Sequence, residues 1–272
     1  MDRVNRPALQ PVEFPGLTRV GCPDGDGGYV IPESLIRETT LLLSLGLGLN
    51  WTFDEDFLRR NPRARLIGID HTVSPWMLAR LFVVGLIKVP AYTFLGDRER
   101  AHKWADRLRT ILSYRRLFAA PNLHLIKRVS DGSDPSDISL TAILAMVPPG
   151  SAPNVFVKMD IEGSEYDVVP DIGANQARIA GLAIEFHYID RDPARFNDAI
   201  ARLRQHFHIV HIHASDPGDY DDATGYAAFL EISFVNRALV TGSTRPATVT
   251  YPRPGLDVIT DRPASRRTLR FT

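Results

Sequence analysis

Between residues 41 and 70 the chain fixes most of what it can become. Leu41-Leu42-Leu43-Ser44-Leu45 is a nearly continuous apolar run, and Gly46-Leu47-Gly48 follows it. Thr52 and Glu55 stand at capping-box spacing ahead of a short helix that stops near Asn61-Pro62. Arg65-Leu66-Ile67-Gly68-Ile69 is a second apolar strand and ends on Asp70. Strand, glycine turn, helix, strand, acid is the first unit of a nucleotide-binding βαβ fold, so the class is α/β.

The rest of the chain extends that unit. Residues 1–40 read as a polar, proline-rich surface arm and a short strand, Tyr29-Val30-Ile31, entered through a tight turn at Asp24-Gly25-Asp26-Gly27-Gly28. The Asp-x-Asp spacing of that turn fails as a calcium loop, because Tyr29 and Leu35 stand where glycine and glutamate are needed. Residues 41–240 form the main domain and 241–272 a C-terminal tail. Residues 74–120 interrupt the alternation with an apolar helix, Trp76 to Lys88, and a basic one, Arg98 to Phe118; they read as a helical cap inserted after the second strand of the unit. Leu123 to Ile126 resumes the sheet, and a helix covers Leu140 to Met146. Strands follow at Val155-Phe156-Val157 and Leu182 to Phe186. Asp192-Pro193 opens a helix with the apolar stripe Phe196, Ile200, Leu203 and Phe207. The runs at 209–213 and 229–234 have no helix between them, which predicts an antiparallel pair in an otherwise mostly parallel sheet.

Charge and cysteine usage narrow the partners. Lys plus Arg and Asp plus Glu both total 32, so no global charge points to nucleic acid. The insertion is a local exception: Arg98, Arg100, Lys103, Arg107, Arg109, Arg115 and Arg116 face only Asp97, Glu99 and Asp106. That predicts an anionic acceptor and, beside the apolar helix, a lipid-linked one at a membrane surface; the plainer reading is a solvated helix face. Trp76 to Ile87, with Arg80 inside, reads as too short and too charged for a transmembrane segment. Cys22 is the single cysteine, which excludes an intramolecular disulfide and a multi-cysteine metal site and suits a reducing compartment. MDRVNRPALQPVEF lacks a signal-peptide apolar core, so the expected place is the cytoplasm, peripheral to a membrane if the insertion meets one.

In an open parallel sheet, ligands bind beyond the carboxyl ends of the strands. Polar residues gather at those ends: Gly46 and Gly48, Asp70, Asp131, Asp160 and Glu162, Glu185 and His187, His211 and His213. Gly46-Leu47-Gly48-Leu49-Asn50-Trp51 has the first two glycines of a dinucleotide fingerprint but Trp51 at the third place, which argues against NAD or FAD. Asp70 is placed to accept hydrogen bonds from two ribose hydroxyls. A phosphate-free nucleoside satisfies both points, and S-adenosylmethionine (SAM) is the common one. Its cationic sulfonium also suits acids around the pocket.

Lys158-Met159-Asp160-Ile161-Glu162-Gly163-Ser164-Glu165 carries a resemblance, supported by Ser44 to Gly48, Gly27-Gly28-Tyr29-Val30 and Glu185-Phe186-His187. The chain resembles the FkbM-type SAM-dependent methyltransferases over roughly residues 20 to 240, in scattered blocks. The resemblance implies a Rossmann-like methyltransferase sheet and methylation of an oxygen on a sugar, glycan or other small metabolite. Ser44 stands where many members carry an acid, and Trp51 where a second glycine pair follows. Ser44, Gly46, Gly48, Asp70, Asp131, Asp160 and Glu162 are the cofactor-binding candidates. Asp160, Glu185 and His187 are the candidate general bases for an acceptor hydroxyl. Glu165, in the first turn of the next helix, reads as structural. His211-x-His213 puts two rings on one strand face and, with Asp160 or Glu185 nearby, is a divalent-metal option. The alternatives are a metal-dependent hydrolase using Asp160, Glu185, His187 and His213, and a catalytically silent nucleoside-binding module.

Overall fold

In the computed structural model of the chain, a seven-stranded sheet carries helices on both faces. The structure describes residues 3–23, 27–150, 152–214, 220–221, 226–259, 266 and 268–271. In chain order the elements are β1 (Leu17–Gly21), β2 (Gly28–Pro32), α1 (Glu33–Glu38), β3 (Leu41–Leu45), α2 (Thr52–Arg60), β4 (Arg65–Ile69), α3 (Pro75–Phe94), α4 (Arg98–Leu117), β5 (Leu123–Leu125) and α5 (Leu140–Ala145). Then come β6 (Val155–Met159), α6 (Glu165–Ala174), β7 (Ile179–Phe186), α7 (Pro193–His206), β8 (Phe207–Ala214), β9 (Tyr220–Asp221), β10 (Tyr226–Ala227) and β11 (Leu230–Asn236).

The sheet order is β5-β4-β3-β6-β7-β11-β8. Strands β5 through β7 are parallel, and β11 runs antiparallel to both β7 and β8. This is the expected mostly parallel α/β sheet, with the last strand slotted in reverse between its two predecessors. The chain winds outward from β3 through β4 to β5, then returns to start again at β6. The switch therefore lies between β3 and β6, where such sheets open a crevice.

Strand alternation builds two cores. Leu41, Leu43, Leu45, Val157 and Met159 point to the face with α5, α6 and α7, whereas Leu42 and Phe156 meet α1, α2 and the β1–β2 hairpin. Each such fully buried side chain contributes about 1.5–3 kcal/mol.

Three local expectations change. Thr52 and Glu55 form no capping box: the Thr52 amide and hydroxyl both donate to Asn50 Oδ1, and Trp51 occupies the N-cap without a side-chain bond. The N-terminal arm does not merely lie on the surface, since Val4 and Leu9 are buried in the first core and the Val12 amide donates to the Ile209 carbonyl. The apolar helix continues past Lys88 to Phe94, which makes α3 long and apolar enough to cross a membrane by length and composition. Of the tight turn before β2, Asp24, Gly25 and Asp26 lie outside the described residues; Gly27 is left-handed, at φ +83°.

Candidate functional site

The exits of β3 and β6 touch. The Asp160 amide donates to the Leu45 carbonyl at 2.9 Å, and the Gly46 amide to the Ile69 carbonyl at 2.9 Å. Gly46 sits at φ +82°, and a Cβ there would lie 1.7 Å from the Asp160 carbonyl oxygen. Only glycine tolerates both the left-handed backbone and this approach. Lys158 closes the junction from the buried side. Its Nζ donates to the Gly46 carbonyl at 2.7 Å and lies 3.5 Å from Asp160 Oδ2. Beyond these exits opens a cavity of about 410 Å³, walled by Gly46, Gly48, Asp70, Asp160 and Glu162 together with the loop after β5.

Asp70 stands at the wall, but not as a free ribose acceptor. Its Oδ2 accepts from the Leu47 amide at 2.9 Å and the Gly48 amide at 2.8 Å. Its Oδ1 accepts from the Thr72 amide and hydroxyl, both at 2.6 Å, and from the Val73 amide at 3.3 Å. A carboxylate offers about four lone-pair sites, so this one is fully committed. Burial pushes the Asp70 carboxyl up, yet the bonds from Thr72, Gly48 and Leu47 outweigh it and hold the group below the usual carboxylate range. The consequence is chemical. Successive glycine-turn amides form an anion seat in phosphate-binding folds; here the protein's own carboxylate fills that seat.

Ser44 does not reach the cavity. It shares the Leu42 face of β3, fully buried, and its hydroxyl has no hydrogen-bond partner among the described residues. It stands beside Asp54, whose Oδ1 is likewise unpartnered. Burial pushes the Asp54 carboxyl from 3.8 to about 6, against the opposing pull of the Lys158 charge and the Ser44 hydroxyl. An acid raised on folding loses stability once it ionises, here about 3 kcal/mol above pH 6, recovered as the pH falls through 6 towards 4. Asp54→Asn is therefore expected to stabilise the fold by up to about 3 kcal/mol at pH 8 and by almost nothing at pH 4, as read from urea midpoints at the two pH values.

The three carboxylates of the 160–165 loop divide their work. Glu165 is wholly buried and accepts from the amides of Ile161 (3.0 Å) and Gly163 (3.1 Å). This fastening holds Glu162 at φ +56°, a strained backbone for a non-glycine residue, and leaves its side chain at the rim. Glu165 Oε1 also lies 2.9 Å from His187 Nδ1, fixing that ring. Nε2 of His187 makes no hydrogen bond among the described residues; it points between Asp160 Oδ1 at 3.7 Å and Glu162 Oε2 at 3.8 Å. Burial pushes His187 down, but the Glu165 bond and the charges of Glu165, Glu185 and Asp160 prevail and lift it to about 9. His187 is thus an imidazolium at neutral pH and cannot serve there as a neutral base. Ligand atoms of Asp160, Glu185 and His187 lie within 4.8 Å of one another.

Three expected members stand apart. Asp131 is exposed and accepts from the Ser133 amide at 2.9 Å, while its neighbours Lys127, Arg128 and Val129 line the cavity instead. His211 and His213 are turned towards Asp257. His211 Nε2 lies 2.7 Å from Asp257 Oδ1, and His213 Nδ1 lies 3.7 Å from the same oxygen. Glu231 pairs with His213 on one side and Glu185 on the other, so these two are separated by two strand spacings, about 10 Å. Asn50, Phe53, His71 and Thr72, all lining residues, carried no motif that could have singled them out. Lys158 lies inside the 158–165 motif, and its apolar neighbours Val157 and Met159 on a strand are the signal of its burial. Trp51, at the third glycine position, is buried and donates from Nε1 to Ser113 Oγ at 2.9 Å, anchoring α4.

No protein-family model and no curated relative matches the sequence. Among solved structures, a precorrin-6y C5,15-methyltransferase from Geobacter metallireducens aligns at 11% identity and TM-score 0.38, covering 75% of this chain and 86% of that one. A putative methyltransferase from Thermobifida fusca aligns at 15% identity and TM-score 0.38, covering 75% and 76%. A 16S rRNA (adenine(1408)-N(1))-methyltransferase from Catenulisporales acidiphilia aligns at 16% identity and TM-score 0.31, covering 81% and 97%. At TM-scores this low the likenesses carry no weight of their own; the geometry of the rim does.

Proposed function

We propose that the chain is a SAM-dependent methyltransferase of the FkbM type, acting on an oxygen of a sugar, glycan or other small hydroxyl-bearing metabolite. One observation carries the reading. The anion seat of the glycine turn is filled by Asp70, while Asp160 and Glu162 face the same cavity. A ligand lying on that turn finds no free amide seat for a pyrophosphate and meets Asp160 and Glu162 on one wall, with Lys127 and Arg128 on the loop after β5. That is the signature of a cationic, phosphate-free nucleoside.

The residues present fit such a group. Gly48 leaves open space above the turn, with nothing within 4 Å of a would-be Cβ. Leu49, Ile69 and Val129 offer apolar wall to a flat base, and His71 and Thr72 stand on the loop where ribose hydroxyls would be read. SAM, when bound, supplies a methyl group on a positively charged sulfur. The chain's own part is to hold an acceptor hydroxyl in line and take its proton. Asp160 is the base in this reading: it is partly open to the cavity, with Lys158 Nζ 3.5 Å from its Oδ2 and His187 Nε2 3.7 Å from its Oδ1 to hold its carboxylate in place. Glu165 positions His187, and Glu185 completes the acid cluster behind it.

A second reading rests on the same cluster. Asp160, Glu185 and His187 offer a divalent cation three ligand atoms, and a histidine held through Nδ1 by a carboxylate is the usual arrangement of a metal ligand. Such an ion would orient and acidify the acceptor hydroxyl, or serve a hydrolase.

Calorimetric titration with S-adenosylhomocysteine separates these. Saturable one-to-one binding is expected, weakened about tenfold by Asp160→Asn, with no binding of NAD. Failure to bind S-adenosylhomocysteine would sink the methyltransferase, and magnesium or manganese binding in its place would favour the hydrolase. Binding without methyl transfer to any of a panel of sugars and glycolipids would point to a silent nucleoside-binding module.

A further inference from the structure

The α3–α4 hairpin has no part in the cavity's chemistry, and its surface is unlike the rest of the chain. Of the long helix α3, only Leu78 and Gly85 are buried. Gly85 faces α4, where a Cβ would meet Leu108 at 2.5 Å. Trp76, Val83, Ile87 and Phe94 are 72%, 56%, 64% and 91% exposed. At about 100° per residue these four fall within roughly 20° of one line along the helix, on the side opposite Gly85. The line ends at the hairpin tip, where Leu95 is 73% exposed.

Cations flank this stripe. Residues 75–117 hold nine lysines and arginines against three acids, in a chain whose two charge totals are equal. The acids Asp97, Glu99 and Asp106 pair with Arg100, Lys103 and Arg109. That leaves Arg80, Lys88, Arg98, Arg107, Arg115 and Arg116 without an ion pair among the described residues. Arg80 lies against the Trp76 ring, and Lys88 and Arg107 each lie 4.9 Å from the centroid of Trp104. Long basic side chains beside exposed tryptophan are the composition of a membrane interface.

We propose that the α3–α4 hairpin docks on an anionic lipid bilayer, apolar stripe inserted at the headgroup boundary and cations on the lipid phosphates. The hairpin lies along the surface and does not span it. α3 is packed lengthwise on α4, so a spanning α3 would carry Arg98, Arg100, Lys103, Arg107 and Arg109 into hydrocarbon, which strongly resists buried cations. The charge complementarity favours lipid over a second copy of the chain, because two such hairpins face to face would set like charges against each other.

The test is flotation of the full chain with vesicles of phosphatidylcholine alone or with about one-third phosphatidylglycerol, where surface charge attracts basic segments. At least tenfold stronger binding to the anionic vesicles is expected, falling as salt is raised. Ile87→Asp with Phe94→Asp, both at exposed positions outside the cavity, should cut binding at least tenfold and leave S-adenosylhomocysteine titration unchanged. A second variant, Arg107→Glu with Arg116→Glu, should lose the preference for anionic lipid. Equal binding to neutral vesicles, no flotation at all, or a dimer in light scattering that the Ile87 and Phe94 changes dissolve would each overturn the proposal. None of these outcomes bears on cofactor binding, so the two readings fail separately.

Discussion

Replacing Asp70 by alanine is expected to cost about 3–5 kcal/mol of folding stability and to convert the glycine turn into an anion-binding site. The carboxylate accepts from the Leu47 and Gly48 amides on one oxygen and from Thr72 and Val73 on the other. Alanine removes all of these at once and leaves the Leu47 amide buried beside the exit of β3. Hydrogen bonds to a charged group contribute about 1.5–3 kcal/mol each, and the five donors share two oxygens, so the sum falls well short of five such bonds. Asp70→Asn should fall between, since one amide oxygen still accepts. The sign of the pH dependence follows from the folded carboxyl sitting below its ordinary range. Its contribution is present above the unfolded carboxylate pKa and lost as the pH drops through the folded value, so wild type and Asp70→Asn should converge in acid. The decisive readout is rescue. Formate should raise the melting temperature of Asp70→Ala by more than that of the wild type at equal ionic strength. Equal response of the two proteins would mean that the turn amides are not an anion seat, and the exclusion of pyrophosphate ligands would fall with it.

The scaffold was readable because its signals are local and periodic. Apolar runs of strand length, a glycine turn and an acid at a strand end mark β3, α2, β4 and Asp70 without any tertiary information. The antiparallel pairing of β11 also followed from the missing helix before it. Its position between β7 and β8 did not, because nothing in a strand's own residues records which neighbours it will have. The expected helix ends at Lys88, whereas α3 runs on to Phe94, with Lys88 beside the rings of Tyr92 and Trp104.

The candidate site was legible as a rim, while the direction of each side chain was not. Gly46, Gly48, Asp70, Asp160 and Glu162 do meet at one cavity. Ser44, Asp131, His211 and His213 do not, and each for a reason of direction. Ser44 points to the face of β3 opposite Leu43 and Leu45, Asp131 turns to its own Ser133 amide, and the two histidines face Asp257 from the C-terminal tail. A side chain's heading depends on its partners, and those partners are far along the chain. The same holds for His187. Its type suggested a base near neutrality, but Glu165 and its neighbouring acids lift it to about 9 and make it a fixed cation. Glu165 is the residue whose part most exceeds its motif: one buried carboxylate sets the loop, the strained Glu162 and the histidine together.

Gly46→Ala is expected to be the most damaging single methyl group in the chain, costing more than about 4 kcal/mol, whereas Gly48→Ala two residues on should cost about 1 kcal/mol. Both glycines are left-handed, at φ +82° and +54°, so both substitutions carry backbone strain. They differ in what the new Cβ meets. At Gly48 nothing lies within 4 Å, and the methyl group enters the cavity. At Gly46 it would sit 1.7 Å from the Asp160 carbonyl oxygen, which belongs to backbone and cannot turn aside. Relief requires the β3 and β6 exits to part, and parting them strains the Asp160 amide bond to Leu45 and the Lys158 bond to the Gly46 carbonyl. The two substitutions should therefore separate stability from binding. Gly46→Ala should unfold at a much lower urea concentration, while Gly48→Ala should keep a near-native midpoint yet lose S-adenosylhomocysteine affinity, because its methyl group occupies ligand space. Equal urea midpoints for the two variants would mean that the exits separate freely. The junction of β3 and β6 would then not be the rigid floor on which the proposed cofactor site depends.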